Sequence, residues 1–220
     1  MAETTPAHPA TMAAELQTST TATDSPLPAP IITTSRLHIR AMHPQDAPSM
    51  AHHAGPASIT KYMSLAFQHP YLLSHAQDWI ALNAKDRLDN YVLTLHADPT
   101  DTIGGIGLKL GRDVSSHTGE VGYWIGEEHQ GSGLMSEALF AFTAWVFGPQ
   151  GVMNDGRRLS RVFAEVFSGN TSSMRVLERN GYVAEGVRKG HVEKHGVVYD
   201  LHSFGVTKAD WEEWRRSEGK

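Results

Sequence analysis

Apolar and polar positions alternate at Arg36-Leu-His-Ile-Arg-Ala41, which predicts a first strand. His43-Pro-Gln-Asp-Ala47 opens a helix running to about His53, and Ser58–Met63 reads as a second, short helix. Pro70 and Ser74 precede a longer helix to about Leu88, with Ala76, Trp79, Ile80 and Leu82 supplying its apolar contacts. Tyr91–His96 and Ile103–Leu110 read as strands joined by the turn Asp98-Pro-Thr-Asp101; a polar loop, Asp113–Thr118, leads to a strand at Glu120–Ile125. From Leu134 the apolar residues switch to helical spacing. Leu134, Ala138, Phe142 and Trp145 form one stripe, flanked by Met135, Leu139 and Val146, and predict a helix to Phe147. Gly148–Arg158 reads as a loop and Ser160–Val166 as a strand. Asn170–Gly181 reads as a short helix, with Asn170 as N-cap and Asn180-Gly181 as its left-handed stop. Tyr182–Val187 and Val197–Val206 are the last strands, separated by a polar loop, and Lys208–Arg216 is a terminal helix. The sum is an α+β fold: about seven strands in a mixed, mainly antiparallel sheet, with helices on both faces.

Residues 1–30 break the pattern. They are rich in Ala, Thr, Ser and Pro, and no Lys or Arg precedes Arg36. A disordered or loosely packed tail is expected there, with a short helix possible around Ala10–Leu16, ahead of one folded domain over 31–220. A chain of 220 residues is long enough to bury the core of such a domain. A net charge of −5 argues against a nucleic-acid partner, which calls for a basic face. No apolar run approaches the ~18 residues of a membrane span. With no cysteine there is no disulfide, thiolate metal site or cysteine nucleophile. The composition suits the cytoplasm and allows monomer or homodimer.

The chemistry gathers at Gln130-Gly-Ser-Gly-Leu-Met135, between a strand and a helix. Glycines let the backbone turn tightly, and the helix that follows leaves free N–H groups backed by the positive end of its dipole. Such a turn can hold a phosphate or pyrophosphate. It also serves as a plain tight connection, so alone it leaves both readings open. It is no P-loop, since no Gly-Lys-Ser/Thr follows, and it lacks the third glycine of a dinucleotide fingerprint.

Seven patterns then occur in one order: Thr34-Ser-Arg-Leu-His-Ile-Arg40, Gly104-Gly-Ile-Gly107, Glu120-Val-Gly-Tyr-Trp-Ile125, Gln130-Gly-Ser-Gly-Leu-Met-Ser-Glu-Ala138, Asn170-Thr-Ser-Ser173, Glu178-Arg-Asn-Gly-Tyr182 and Glu185-Gly-Val-Arg188. The ordered set resembles the GNAT superfamily of acyl-CoA-dependent N-acetyltransferases, most of all the branch of the ribosomal-protein N-terminal acetyltransferases RimJ and RimL. The resemblance runs from about 31 to 216. It implies acetyl-CoA as co-substrate, lying in a V-shaped splay between the fourth and fifth predicted strands. The backbone of Gln130, Gly131, Ser132, Gly133, Leu134 and Met135 would hold the pyrophosphate. The pantetheine arm would pair along Tyr123, Trp124 and Ile125, and Asn170 and Ser173 would contact the same cofactor. Glu128 stands where the family places Gln or Arg.

The implied reaction is attack of a primary amine, on a protein N-terminus or a small molecule, at the thioester. Glu120 is the candidate base; it is equally placed to be a salt-bridged glutamate at a strand start. The family's acid tyrosine corresponds to Leu177, which leaves the acid open, with Ser173 and Ser136 as hydroxyl stand-ins. A CoA-binding sensor that has lost turnover is the rival reading. Tyr62, Met63, Trp79, His191 and Tyr199 are candidate walls of the acceptor pocket. No metal is expected: His52-His53 are adjacent and point apart, and His191-Val-Glu-Lys-His195 is not an HExxH pair.

Overall fold

A computed structural model describes residues 24–86 and 89–219. Most of the predicted tail, including Ala10–Leu16, lies outside the described residues. Residues 24–30 lack regular structure, but Ser25 Oγ lies 2.7 Å from His43 Nε2 and fastens that end to the domain.

The chain is α+β, as the pattern predicts, with more strands. They are β1 (Ile32–Thr33), β2 (Leu37–Ala41), β3 (Asp89–Leu95), β4 (Asp98–Leu110), β5 (Thr118–Ile125), β6 (Met153–Asn154), β7 (Arg157–Arg158), β8 (Arg161–Phe167), β9 (Val183–Lys194) and β10 (Val197–Thr207). Eight form one sheet in the order β1-β2-β3-β4-β5-β8-β10-β9, antiparallel except for the β5–β8 pair. The two-residue strands β6 and β7 pair within the expected 148–158 loop. The helices are α1 (Ala47–Ala54), α2 (Ala57–Thr60), α3 (Leu73–Asp86), α4 (Leu134–Phe147), α5 (Thr171–Glu178) and α6 (Lys208–Ser217). Among the described residues, no helix is long and apolar enough to cross a membrane.

Two expected loops are strand. Asp98–Asp101 opens β4, because the reversal falls at His96-Ala97; Asp98 Oδ1 instead accepts from the Thr100 hydroxyl at 2.6 Å and the Thr100 amide at 3.0 Å. The His191–Lys194 stretch continues β9 as the outer edge strand, paired with β10 through Val197↔Lys194.

The two sheet faces bury separate cores. Leu134, Ala138, Leu139, Phe142 and Val146 of α4 pack on one face with Val121, Val162, Ala164, Val166 and Trp211. On the other, Met50 and Ala54 of α1 meet Tyr71, Ala76, Ile80 and Val92. That second layer is pinned by Arg40, whose guanidinium makes a two-pronged bond to Asp46 (Nη1–Oδ2 2.9 Å, Nη2–Oδ1 2.7 Å), both side chains being almost wholly buried. Asp46 also accepts from the His43 amide at 2.7 Å and the Thr102 hydroxyl at 3.0 Å, so three separate neighbours donate to its charge.

Candidate active site

The sheet opens where its parallel pair fails. β5 and β8 are in register only at Thr118↔Arg161, Gly119↔Val162 and Glu120↔Phe163, yet β5 continues to Ile125 and β8 to Phe167. Beyond that last rung their facing edges diverge. Tyr123 and Ile125 lean toward the α4 core, while Trp124 leans the other way against Phe67, ring centres 6.2 Å apart.

At its mouth lies the glycine turn. Gly131 and Gly133 adopt φ of +73° and +80°, the left-handed region that side chains resist. Gly133 is the N-cap of α4 and offers no side-chain cap. Among the described residues, the amides of Gly131 to Ser136 meet no protein acceptor, and the loop through Gly133 is exposed. Gln130 departs from the expectation. Its amide is spent on Glu127 O at 3.1 Å and its side chain donates to Ile125 O at 3.2 Å, so it braces the turn. The Leu134 and Met135 side chains are buried in the core, which leaves only their backbone facing the turn. Glu128 is exposed on the preceding 3-10 turn.

Arg36 and Glu137 form a clamp that the sequence does not announce. Arg36 Nη1 donates to Ser132 O at 3.0 Å, and Arg36 Nε to Glu137 Oε2 at 2.7 Å. Glu137 Oε1 accepts from the Thr34 hydroxyl (2.6 Å), the Ser35 hydroxyl (2.9 Å) and the Arg36 amide (3.0 Å). Thr34-Ser-Arg36 thus holds the first turn of α4 and sets a guanidinium beside the glycine turn. Burial alone would raise the Glu137 pKa; the bonds from Thr34, Arg36 and Ser35 outweigh it and hold the carboxyl at about 2. A folded-state pKa below the usual 4.5 gives stability that is complete above that value and lost as pH falls toward 2. Between about pH 5 and pH 2 the melting temperature of wild type is expected to fall more steeply than that of Glu137→Gln. Parallel curves would remove the clamp as an acid-sensitive element.

Asn170, Ser173 and Tyr123, expected along the cofactor arm, come together as well. Asn170 caps α5, its Oδ1 accepting from the Ser173 amide at 3.3 Å. Tyr123 sends its phenol across the gap to Ser173, with Oη 3.0 Å from Ser173 Oγ and 3.2 Å from Ser173 O. Burial pushes the Tyr123 pKa upward, so the phenol stays protonated and remains a donor. Leu177 is fully buried and carries no proton to give. Ser136 Oγ accepts from Asn180 Nδ2 at 3.0 Å, which ties it to the end of α5. Glu120 sits on the last paired rung, and its carboxylate lies 3.6 Å from Lys109 Nζ on the neighbouring strand.

On the opposite face a cavity of about 340 Å³ lies between α2 and the β9–β10 hairpin, lined by Thr60, Lys61, His69, Lys194, His195 and Tyr199 among others. Tyr62 meets Tyr199 edge-on at 6.4 Å, and Tyr199 meets Phe167, at the open end of β8, at 5.7 Å. Trp79 stands instead on the outward side of α3, and His191 on the exposed edge strand beside Arg188. Neither lines this cavity, because Ala76, Ile80 and Asn83 take the buried side of α3 and β9 continues past His191; Tyr62 and Met63 are not in its lining either, which leaves Tyr199 as the one expected wall found there. Lys194 joins the site without any local sequence signal. Its Nζ is buried and donates to Thr60 O and Met63 O at 2.5 and 2.6 Å, and burial lowers its pKa.

A model of the acetyltransferase (GNAT) domain matches residues 36–183, which span the clamp, the gap, the glycine turn and α5. The chain belongs to the GNAT acetyltransferase family. It is an acetyl-CoA-dependent N-acetyltransferase. An uncharacterized N-acetyltransferase of Bacillus subtilis, YoaA, is 28% identical over 81% of this chain and 97% of its own. The Escherichia coli [ribosomal protein uS5]-alanine N-acetyltransferase is 32% identical over 44% of this chain and 46% of its own. Among solved structures, RimL, a ribosomal L7/L12 alpha-N-protein acetyltransferase in complex with coenzyme A, superposes with a TM-score of 0.65 at 18% identity, over 80% of this chain and 97% of that one. In this acetyltransferase the family's splay is the divergence of β5 from β8.

Proposed function

We propose that this acetyltransferase moves the acetyl group directly from coenzyme A to the α-amine of a peptide or amino acid, with no covalent enzyme intermediate. The free amides of Gly131–Ser136 and the Arg36 guanidinium hold the pyrophosphate, and the pantetheine arm fills the gap along Tyr123–Ile125 beside Asn170 and Ser173. The amine nitrogen attacks the thioester carbon, and its proton passes to Glu120, directly or through water. The carbon–sulfur bond breaks, and the thiolate leaves against the Ser173 hydroxyl, which lies 3.0 Å from the Tyr123 phenol. A thiol pKa near ~8.5 means that a hydrogen bond is enough to let the sulfur leave. The medium this chemistry implies is the cytoplasm, where acetyl-CoA is available.

One observation carries the choice of acceptor. The cavity beside Tyr199 is lined, among the described residues, by Lys61, Lys194 and two histidines and by no carboxylate. Positive surroundings repel an ammonium and favour the neutral, reactive amine. An α-amine, with a pKa of about 8, is partly neutral already; an alkylammonium near ~10.4 is not. The test is thiol release from acetyl-CoA across a panel of amines. A short peptide is expected to outrun spermidine by at least about tenfold, one pKa unit being worth a factor of ten. Equal rates would overturn the acceptor assignment. In the same assay Glu120→Gln is expected to lower turnover by about 100-fold with coenzyme affinity kept. An unchanged rate removes Glu120 as base.

A further inference from the structure

A cluster outside this machinery joins three distant parts of the chain. His53 near the end of α1, Asp101 in β4 and His129 in the 3-10 turn before the glycine loop place one ligand atom each within 4.8 Å of one another. His53 Nε2 lies 3.1 and 3.2 Å from the two Asp101 oxygens. The His53 and His129 rings meet edge-on with centres 5.2 Å apart.

The His53 ring and the His129 backbone are held by neighbours outside the cluster. The His53 ring is buried, and Gly126 lies so close that a Cβ there would come within 2.8 Å of its Nδ1. The His129 amide donates to Gly126 O at 3.0 Å, and its carbonyl accepts the Ser132 hydroxyl at 2.6 Å. The His129 ring makes no hydrogen bond to any described residue; its one ring contact is His53. Asp101 is part-exposed, which gives solvent access. A lone His–Asp ion pair explains two of the three groups and leaves the second imidazole without a purpose.

We infer that His53, Asp101 and His129 form a divalent transition-metal site of the zinc class. Two neutral imidazoles and a carboxylate are a borderline N₂O donor set that suits zinc or cobalt and leaves a fourth position to water. This reverses the expectation of no metal, which weighed only histidines close in sequence; the spacing hides the site, since His53 and Asp101 are 48 residues apart. The ion would tie α1 to the turn that leads into Gly131–Gly133 and so brace the loop; this consequence rests on the coenzyme reading above.

The experiment uses the full chain, stripped of metal, and titrates Zn²⁺ by calorimetry and Co²⁺ by visible absorption, without coenzyme. One ion per chain and a Co²⁺ spectrum of four-coordinate intensity are expected. His129→Ala and Asp101→Ala should each weaken binding at least about tenfold, the low end of what even an outer-shell partner is worth. His129 is part-exposed, so its variant keeps the fold and remains informative even if the buried His53 cannot be replaced. The absence of saturable binding would overturn the site. Zn²⁺ binding unaffected by His129→Ala would do the same, since the chain has thirteen histidines to bind it elsewhere. Coenzyme affinity is read separately with and without Zn²⁺: an increase supports the brace, and no change with Zn²⁺ bound overturns the brace and leaves the site standing.

Discussion

Gly131→Asp is expected to abolish measurable coenzyme binding, with an affinity loss of at least about 100-fold. Two independent costs add. An aspartate must adopt φ of +73°, which costs about 1–2 kcal/mol for a residue with a Cβ. Its carboxylate would also stand where the pyrophosphate is proposed to lie; two unit charges about 4 Å apart near a protein surface repel by about 4 kcal/mol. The space around Gly131 is open, and a methyl group placed there would have nothing within 4 Å, so Gly131→Ala isolates the backbone cost. That variant is expected to lose only about tenfold, by the same backbone cost. Equilibrium binding of coenzyme A to both variants, with circular dichroism to show that the fold is kept, decides it. Coenzyme affinity retained in Gly131→Asp would place the pyrophosphate elsewhere.

Asp46→Ala is expected to be the most damaging change to stability, at about 3–5 kcal/mol, because it strands the buried Arg40 guanidinium without a counter-charge. The carboxylate is fully buried and accepts four donor contacts, from Arg40 twice, His43 and Thr102, so the substitution also orphans the His43 amide and the Thr102 hydroxyl. For a domain of this size that corresponds to a drop in melting temperature of about 6–20 °C, at about 2–4 °C per kcal/mol. The double variant Arg40→Met/Asp46→Leu should recover much of the loss, since a hydrophobic pair of similar volume avoids the desolvation of both charges. Thermal and urea unfolding of the three proteins check this. A loss below about 1 kcal/mol in Asp46→Ala would mean that solvent reaches Arg40.

What can be read from the sequence follows how local each determinant is. α4 is predicted to the residue, because its apolar stripe and the glycine before it are both short-range signals. The α5 cap is equally local: Asn170 bonds an amide three residues ahead. Only half of the edge strand β9 is legible, because it is exposed along nearly its whole length; no alternation marks it, and its pairing with β10 alone makes it a strand. Asp98–Asp101 misleads in the other direction, since Asp and Pro next to a reversal mimic the reversal itself. At the site, the glycine turn is visible because a left-handed backbone needs glycine. The Arg36–Glu137 clamp is not, because its partners are 101 positions apart and each alone looks like an ordinary surface charge. The Tyr123–Ser173 contact spans 50 positions, and its tyrosine reads simply as a strand residue.

The divergence of β5 from β8 gives the sheet an unzipped seam. One side of the sheet is fastened to the other by three rungs, and on the proposed placement the coenzyme arm would lie along the strand edges beyond them. Such edges are what other chains pair with when proteins clump. Filling the seam stabilises the fold by mass action, in proportion to the logarithm of coenzyme concentration over its dissociation constant. On that proposed placement the donor is also a guardian of its catalyst: starvation for acetyl-CoA and CoA would shorten the working life of the protein as well as slow its turnover.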